Sequence, residues 1–221
     1  MSCGSPEADR NRRVFVDLID VLRCPALHPE EPLVAVAALT IDRQLVEGVL
    51  GCPMCGAEYP VRDGAVWFGL GRADRWSPSE VVVSGDPDEV IRLAAQLGID
   101  GRGGRYLFDG AWSSMVAALG EIGPLLALGL DSAMPGLSVL RDCADRLPVA
   151  AGRFRGAVLA RPAAALAAAA ARALETAGRL VAPAATPVPD GVTVLARDAR
   201  QWVATRDASL VVAARVVLRR A

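Results

Sequence analysis

Apolar positions along the 221-residue chain fall into two unlike stretches. Over residues 14–70 they form short β-like runs broken by proline, glycine and cysteine turns. From Asp86 onward, segments of helical spacing alternate with short continuous apolar runs, the pattern of an α/β domain. Asp86-Pro87 marks a helix start, a capping carboxylate followed by proline at the first helical position. That helix should run to Leu97 and stop at Gly98. Further helices are predicted at 113–119 and at 162–176, the second opened by proline and rich in alanine. Strands are predicted at 106–109, 125–130, 137–141, 157–160, 179–182, 192–197 and 210–218. Residues 1–13 read as a disordered tail, 14–70 as a small β domain, 71–85 as a linker and 86–221 as the α/β domain.

Composition narrows the chemistry. All 24 basic side chains are arginine, no lysine is present, and His28 is the only histidine. A Schiff-base enzyme, a P-loop and a kinase-type ATP site each need a lysine, and multi-histidine metal sites need more imidazoles. The formal net charge of −1 gives no electrostatic footprint for nucleic acid. The polar N-terminus lacks the apolar core of a signal peptide, and the alanine run 163–171 is too short to span a bilayer. A cytoplasmic protein without a membrane span is expected. Five cysteines in that setting favour metal or free thiols over disulfides.

Cys52-Pro53-Met54-Cys55-Gly56 is a cysteine knuckle, whose turn aims backbone amides at two thiolates that bind one tetrahedral ion. Redox motifs share that spacing, so a second ligand pair is needed. Cys24 and His28 supply one, giving a Cys₃His zinc set of Cys24, His28, Cys52 and Cys55. The alternative is a buried Cys24 beside an ordinary loop histidine. Cys3 and Cys143 are read as free thiols.

Leu22-Arg23-Cys24-Pro25, Gly51-Cys52-Pro53-Met54-Cys55-Gly56 and Tyr59-Pro60-Val61-Arg62-Asp63-Gly64 together resemble the zinc-ribbon family of methyltransferase activators, over about residues 17–70. That resemblance implies a structural zinc and a role in docking to or stabilising another protein subunit. The family has Cys-Pro-x-Cys at the first knuckle. Here Leu27 occupies the second cysteine position, so the metal depends on His28.

Residues 86–218 resemble the S-adenosylmethionine-dependent methyltransferase fold. The fold class expected is therefore α/β, a small zinc-ribbon-like β domain followed by a shortened Rossmann-like methyltransferase sheet. Tyr106-Leu107-Phe108-Asp109-Gly110 stands at the first strand and glycine loop, and Asp131 at the acid that holds the cofactor ribose. The resemblance implies Asp109, Gly110 and Asp131 as cofactor-binding candidates, with turn and cap roles as their alternative. Asp145-Arg146-Leu147-Pro148 with Phe154 is similar to the acid-x-Leu-Pro…Phe-Asp segment, and for Asp145 a turn role is preferred.

Several departures weigh against the cofactor. Trp112 occupies the second glycine position, where close approach of the backbone needs glycine. Only residues 132–136 follow Asp131 where the family places a helix, Arg155 replaces the acid after Phe154, and 183–191 is too short for a helix. S-adenosylmethionine binding is disfavoured and no catalytic residue is assigned. The expectation is a non-catalytic accessory or scaffold subunit acting by protein association, with an active methyltransferase as the alternative. Trp67, Phe68, Trp76 and Trp202 are candidates for a docking surface or for packing between the two domains.

Overall fold

The computed structural model describes residues 14–62, 64–69, 86–130, 137–141, 143 and 146–208. The N-terminal part holds β1 (Val14–Phe15), the single helical turn α1 (Val16–Ile19), β2 (Val34–Ile41), β3 (Gln44–Gly51), β4 (Glu58–Arg62) and β5 (Ala65–Trp67). A two-residue turn joins β2 to β3, with Asp42 at φ 48° and Arg43 at φ 60°. Positive φ at both centres is the geometry that matches the right-handed twist of a hairpin.

The C-terminal part follows with α2 (Pro87–Leu97), β6 (Arg105–Asp109), a 3₁₀ turn (Gly110–Met115), α3 (Val116–Ile122), β7 (Leu126–Leu130) and β8 (Ser138–Arg141). Then come β9 (Phe154–Val158), α4 (Ala164–Ala173), β10 (Leu174–Pro183), β11 (Val192–Arg197) and β12 (Gln201–Arg206). The signals that end α2 act as the sequence predicts. The Asp86 side chain accepts from the Asp88 amide at 3.1 Å, and Gly98 takes a left-handed φ of 67° at the other end.

The twelve strands of the described residues belong to one sheet, ordered β1-β3-β4-β5-β8-β7-β6-β9-β10-β12-β11, with β2 on the other edge of β3. From β8 to β10 neighbouring strands are parallel, whereas β10–β12 and β12–β11 are antiparallel. Counted from β6, the parallel strands run 3-2-1-4-5, the doubly wound order. Its direction reverses between β6 and β9, which makes that gap the topological switch point.

Alternate residues of the parallel strands feed two layers. Tyr106 and Phe108 pack with Val90, Leu93 and Leu97 of α2 and with Met115 and Leu119. On the other face, Leu107, Leu128 and Leu140 join Leu166 and Ala170 of α4. Among the described residues from 137 to 153 none is helical. Leu18, Val21 and Leu22 of the N-terminal part fill that layer instead, in one buried cluster with Leu140, Leu147 and Val149.

The N-terminal part is stitched in by its backbone as well. β5 pairs in parallel with β8, Ala65 with Val139, Val66 with Leu140 and Trp67 with Arg141. Phe68 N donates to Arg141 O at 3.0 Å, Arg23 N to Pro148 O at 2.8 Å and Ala150 N to Val21 O at 2.8 Å.

Several boundaries differ from the sequence expectation. The strand expected at 157–160 is Phe154–Val158, and the helix expected at 162–176 closes at Ala173 because Leu174 enters β10 at once. Residues 110–115 form a 3₁₀ turn ahead of α3 rather than the start of one helix. β12 lies where no strand was predicted, and 210–218 falls outside the described residues. The 184–191 segment between β10 and β11 holds no helix, in line with its proline content.

Candidate functional site

Two places in this fold concentrate chemistry. The first is the turn pair of the N-terminal part. Sγ of Cys24, Cys52 and Cys55 and a ring nitrogen of His28 all lie within 4.8 Å of one another. Cys24 Sγ and Cys55 Sγ are 3.8 Å apart, and Cys52 Sγ lies 3.4 Å from His28 Nε2. A tetrahedral zinc with bonds of about 2.3 Å to sulfur and about 2.0 Å to nitrogen separates its ligands by about 3.8 Å and about 3.5 Å respectively. The donor set and its spacing therefore fit zinc.

The surroundings fit as well. Burial pushes the Cys52 thiol up, but the amides of Cys55 and Met54 and the neighbouring thiols outweigh it and bring it down to about 7. His28 Nδ1 sits 2.6 Å from Pro29 O. A proton held there leaves Nε2 as the free lone pair on the cysteine side. The same carbonyl is the main reason that the imidazole's pKa is raised. The Tyr59 hydroxyl lies 3.2 Å from Cys24 Sγ. Sequence reasoning named Tyr59 only within the segment that resembles the family and missed this contact. Leu27, at the position of the absent cysteine, is 87% exposed. The side chain that turns inward is the next one, His28.

The second place is the switch point. Asp109 ends β6 and is 1% exposed. Its carboxylate accepts from Ala160 N at 3.0 Å, Arg161 N at 3.2 Å, and Arg161 Nε and Nη2 at 3.4 and 3.0 Å. Gly110 follows at φ 55° and turns the chain into the 3₁₀ segment. Trp112 Nε1 donates to Leu159 O at 3.2 Å. The loops after β6 and β9, which part to admit a ligand in open α/β sheets, are thus tied together by side chains of this chain. Arg161 was not foreseen, since an arginine after a strand carries no signal of its own.

Beside the tie, a cleft of about 620 Å³ is bounded by Arg92, Gln96, Trp112, Pro183 and the turn 198–201. Asp131 and Asp145 lie outside the described residues, as does Trp76.

Two sequence readings change. Arg155 stands at the N-terminal end of β9, opposite the ligand-bearing end. There it holds Asp100 Oδ1 at 2.9 Å and Gly103 O at 2.6 Å, so its departure from the family pattern does not touch the crevice. Trp202 is fully buried and donates to Thr186 O at 2.8 Å, a core residue and not a docking surface. Phe68 is also buried, with its ring centroid 4.8 Å from that of Tyr59. Trp67 is half-buried with the Arg141 guanidinium 5.6 Å from its centroid. Both pack between the two parts of the chain.

This is a zinc-ribbon-like module built into the edge of a Rossmann-like sheet. Residues 16–64 match the Trm112p-like protein family and form a Trm112-like domain. A comparison with curated protein sequences gives no significant match. Among solved structures, the chain is similar to a candidate S-adenosyl-L-methionine-dependent methyltransferase from Methanococcus maripaludis, at 10% identity over 55% of this chain and 84% of that one, TM-score 0.40. It is also similar to a chain in the complex between the Haloferax volcanii Trm112 methyltransferase activator and a candidate methyltransferase, at 14% identity over 52% and 71%, TM-score 0.39. The chain spans half the length of the Bacillus subtilis YcgJ protein, at 16% identity over 43% of its own residues, TM-score 0.35. No helix among the described residues is long and apolar enough to cross a membrane.

Proposed function

We propose that this chain is a non-catalytic, methyltransferase-like protein whose zinc ribbon is structural and serves its own sheet, and that it acts as an accessory or scaffold subunit. The observation that carries this reading is the bridged switch point, where Asp109, Arg161 and Trp112 join the loops that a cofactor would have to separate. Opening that gap means breaking a charge-assisted pair to a buried carboxylate, which costs more than an exposed contact.

The ribbon's part follows from where it packs. Its last strand is hydrogen-bonded to β8 and its apolar residues supply the missing layer over Leu140. Zinc bound by Cys24, His28, Cys52 and Cys55 would fix the knuckle turn between β3 and β4 to the 24–28 turn that precedes β2. The metal's contribution there is to stability, because binding free energy at a structural site is folding free energy. The domains proposed are the ribbon over 14–70 and the methyltransferase-like sheet over 86–221, joined by 71–85.

The competing reading is an active S-adenosylmethionine-dependent methyltransferase, favoured by the doubly wound order and the cleft beside Trp112. Ultraviolet crosslinking with labelled S-adenosylmethionine separates the two. The accessory reading expects no specific label. Saturable label on the segment from β6 to Arg161 would establish the enzyme reading instead.

A further inference from the structure

The sheet ends on β2, and this edge is unusual. Among the described residues, β2 has β3 on one side and no strand on the other. Every one of its eight residues is exposed. Val34, Val36, Leu39 and Ile41 are 57%, 68%, 43% and 38% exposed. The strand carries no charge and no proline from 34 to 41. Edge strands are ordinarily guarded by such residues, because a bare edge is a template for another strand. The opposite edge, β11, is shorter and carries Arg197.

The apolar side chains also have a symmetry. Val34 pairs with Gly51 and Val36 with Val49, whereas the inward-facing Leu50 pairs with Ala35. A register shift between Ala37 and Thr40 then resets the alternation, so that Leu39 opposes Glu47 and Ile41 opposes Gln44, while buried Leu45 opposes Thr40. The four exposed apolar residues therefore share one face, disposed evenly about the Ala37–Ala38 peptide. Without the shift, strict alternation would put Leu39 and Ile41 on the opposite face from Val34 and Val36.

We propose that β2 pairs with β2 of a second copy of this chain, antiparallel about a two-fold axis at Ala37–Ala38. That register sets Val34 against Ile41 and Val36 against Leu39 of the other copy, twice over by symmetry. An isologous contact of this kind requires a self-complementary patch, and the shifted alternation supplies it. The ends are complementary too. Arg43 of one copy comes to the end of the other that carries Glu31, the neighbouring Glu30 being already paired with Arg23 and Arg172. The pairing continues the backbone ladder of one sheet into the next and leaves the switch point and the Cys₃His site untouched. It stands whether or not the C-terminal part is catalytic.

Sedimentation equilibrium of the full chain, with hydrogen exchange read on 34–41, tests this. The expected result is a concentration-dependent species of twice the 23.1 kDa chain mass, with β2 amides protected in step with it. Val36→Lys and Leu39→Glu, introduced singly on the exposed face, should each weaken the dimer by at least tenfold while leaving the unfolding temperature unchanged at dilutions where wild type and variant are both monomeric. Two results would overturn the proposal. A monomer at hundreds of micromolar with freely exchanging β2 amides leaves the edge to a different protein. A monomer with protected β2 amides assigns it to another segment of the same chain.

Discussion

Removing the Phe68 side chain tests whether ribbon and sheet are one structure. Phe68 lies directly after β5, is 6% exposed and stacks at 41° on Tyr59. It belongs to the cluster that runs unbroken from Leu18 and Leu50 of the ribbon to Leu140, Phe154 and Trp202. Truncating a buried phenylalanine to alanine costs about 3–5 kcal/mol, since transfer and cavity terms add. In a chain of this size each kcal/mol lowers the midpoint by roughly 2–4 °C, so Phe68→Ala should melt about 6–20 °C lower. The location of that loss matters more than its size. If the core is shared, the whole chain unfolds in one transition, and fluorescence of Trp202 shifts by as much as any probe in the ribbon. Differential scanning calorimetry, paired with fluorescence of a variant keeping only Trp202, reads both. Two separated transitions, with the Trp202 signal unmoved, would refute the shared core and make the ribbon an appended module.

Three further outcomes are expected. Cys52→Ser and His28→Ala should each reduce zinc from about one per chain toward none by elemental analysis. Adding Leu27→Cys to His28→Ala should not restore it, since residue 27 faces outward, and recovery of zinc in the double variant would contradict the site. Arg161→Ala should destabilise the fold by about 1–2 kcal/mol in urea, less than the roughly 3–5 kcal/mol of a fully buried pair because the arginine side chain is 56% exposed. No change in the urea midpoint would mean that the Asp109 tie does not hold the loops. Finally, the Arg155 guanidinium, with the Arg102 amide, holds the Asp100 carboxyl down at about 2. A depressed carboxyl stabilises above its unfolded pKa of about 3.9 and loses that contribution as pH falls through the folded value. The stability gap between wild type and Asp100→Asn should be widest near neutrality and close between about pH 4 and pH 2. A gap independent of pH would refute the pairing.

Local signals were legible and tertiary ones were not. Asp86-Pro87 and Gly98 bracket α2 because capping and left-handed termination are decided within a few residues. The knuckle and its upstream partners were also legible, including the shift from Leu27 to His28, because ligand chemistry singles out so few residue types. β9 was misplaced because its first residues, Phe154-Arg155-Gly156, look too polar for a buried strand. The arginine is accommodated by Asp100, Gly103 O and Glu175, distant in sequence. β12 was overlooked for a related reason. Gln201 and Arg206 bound it, and the short run Trp202-Val203-Ala204 is buried on both faces between β10 and β11. The greatest surprise was topological. No local pattern announces that β5 will pair with β8, or that Leu18 of α1 will join the layer over Leu140. Of the aromatics read as a docking surface, Trp67 and Phe68 pack in that junction and Trp202 in the core of the C-terminal part.

Isothermal titration of the zinc-loaded chain with S-adenosylmethionine and with its demethylated product tests the central claim most directly. With the loops after β6 and β9 joined through Asp109, Arg161 and Trp112, neither ligand should release heat up to millimolar concentration. Saturable binding of either one at micromolar affinity would show that the switch point opens, and would contradict the non-catalytic account.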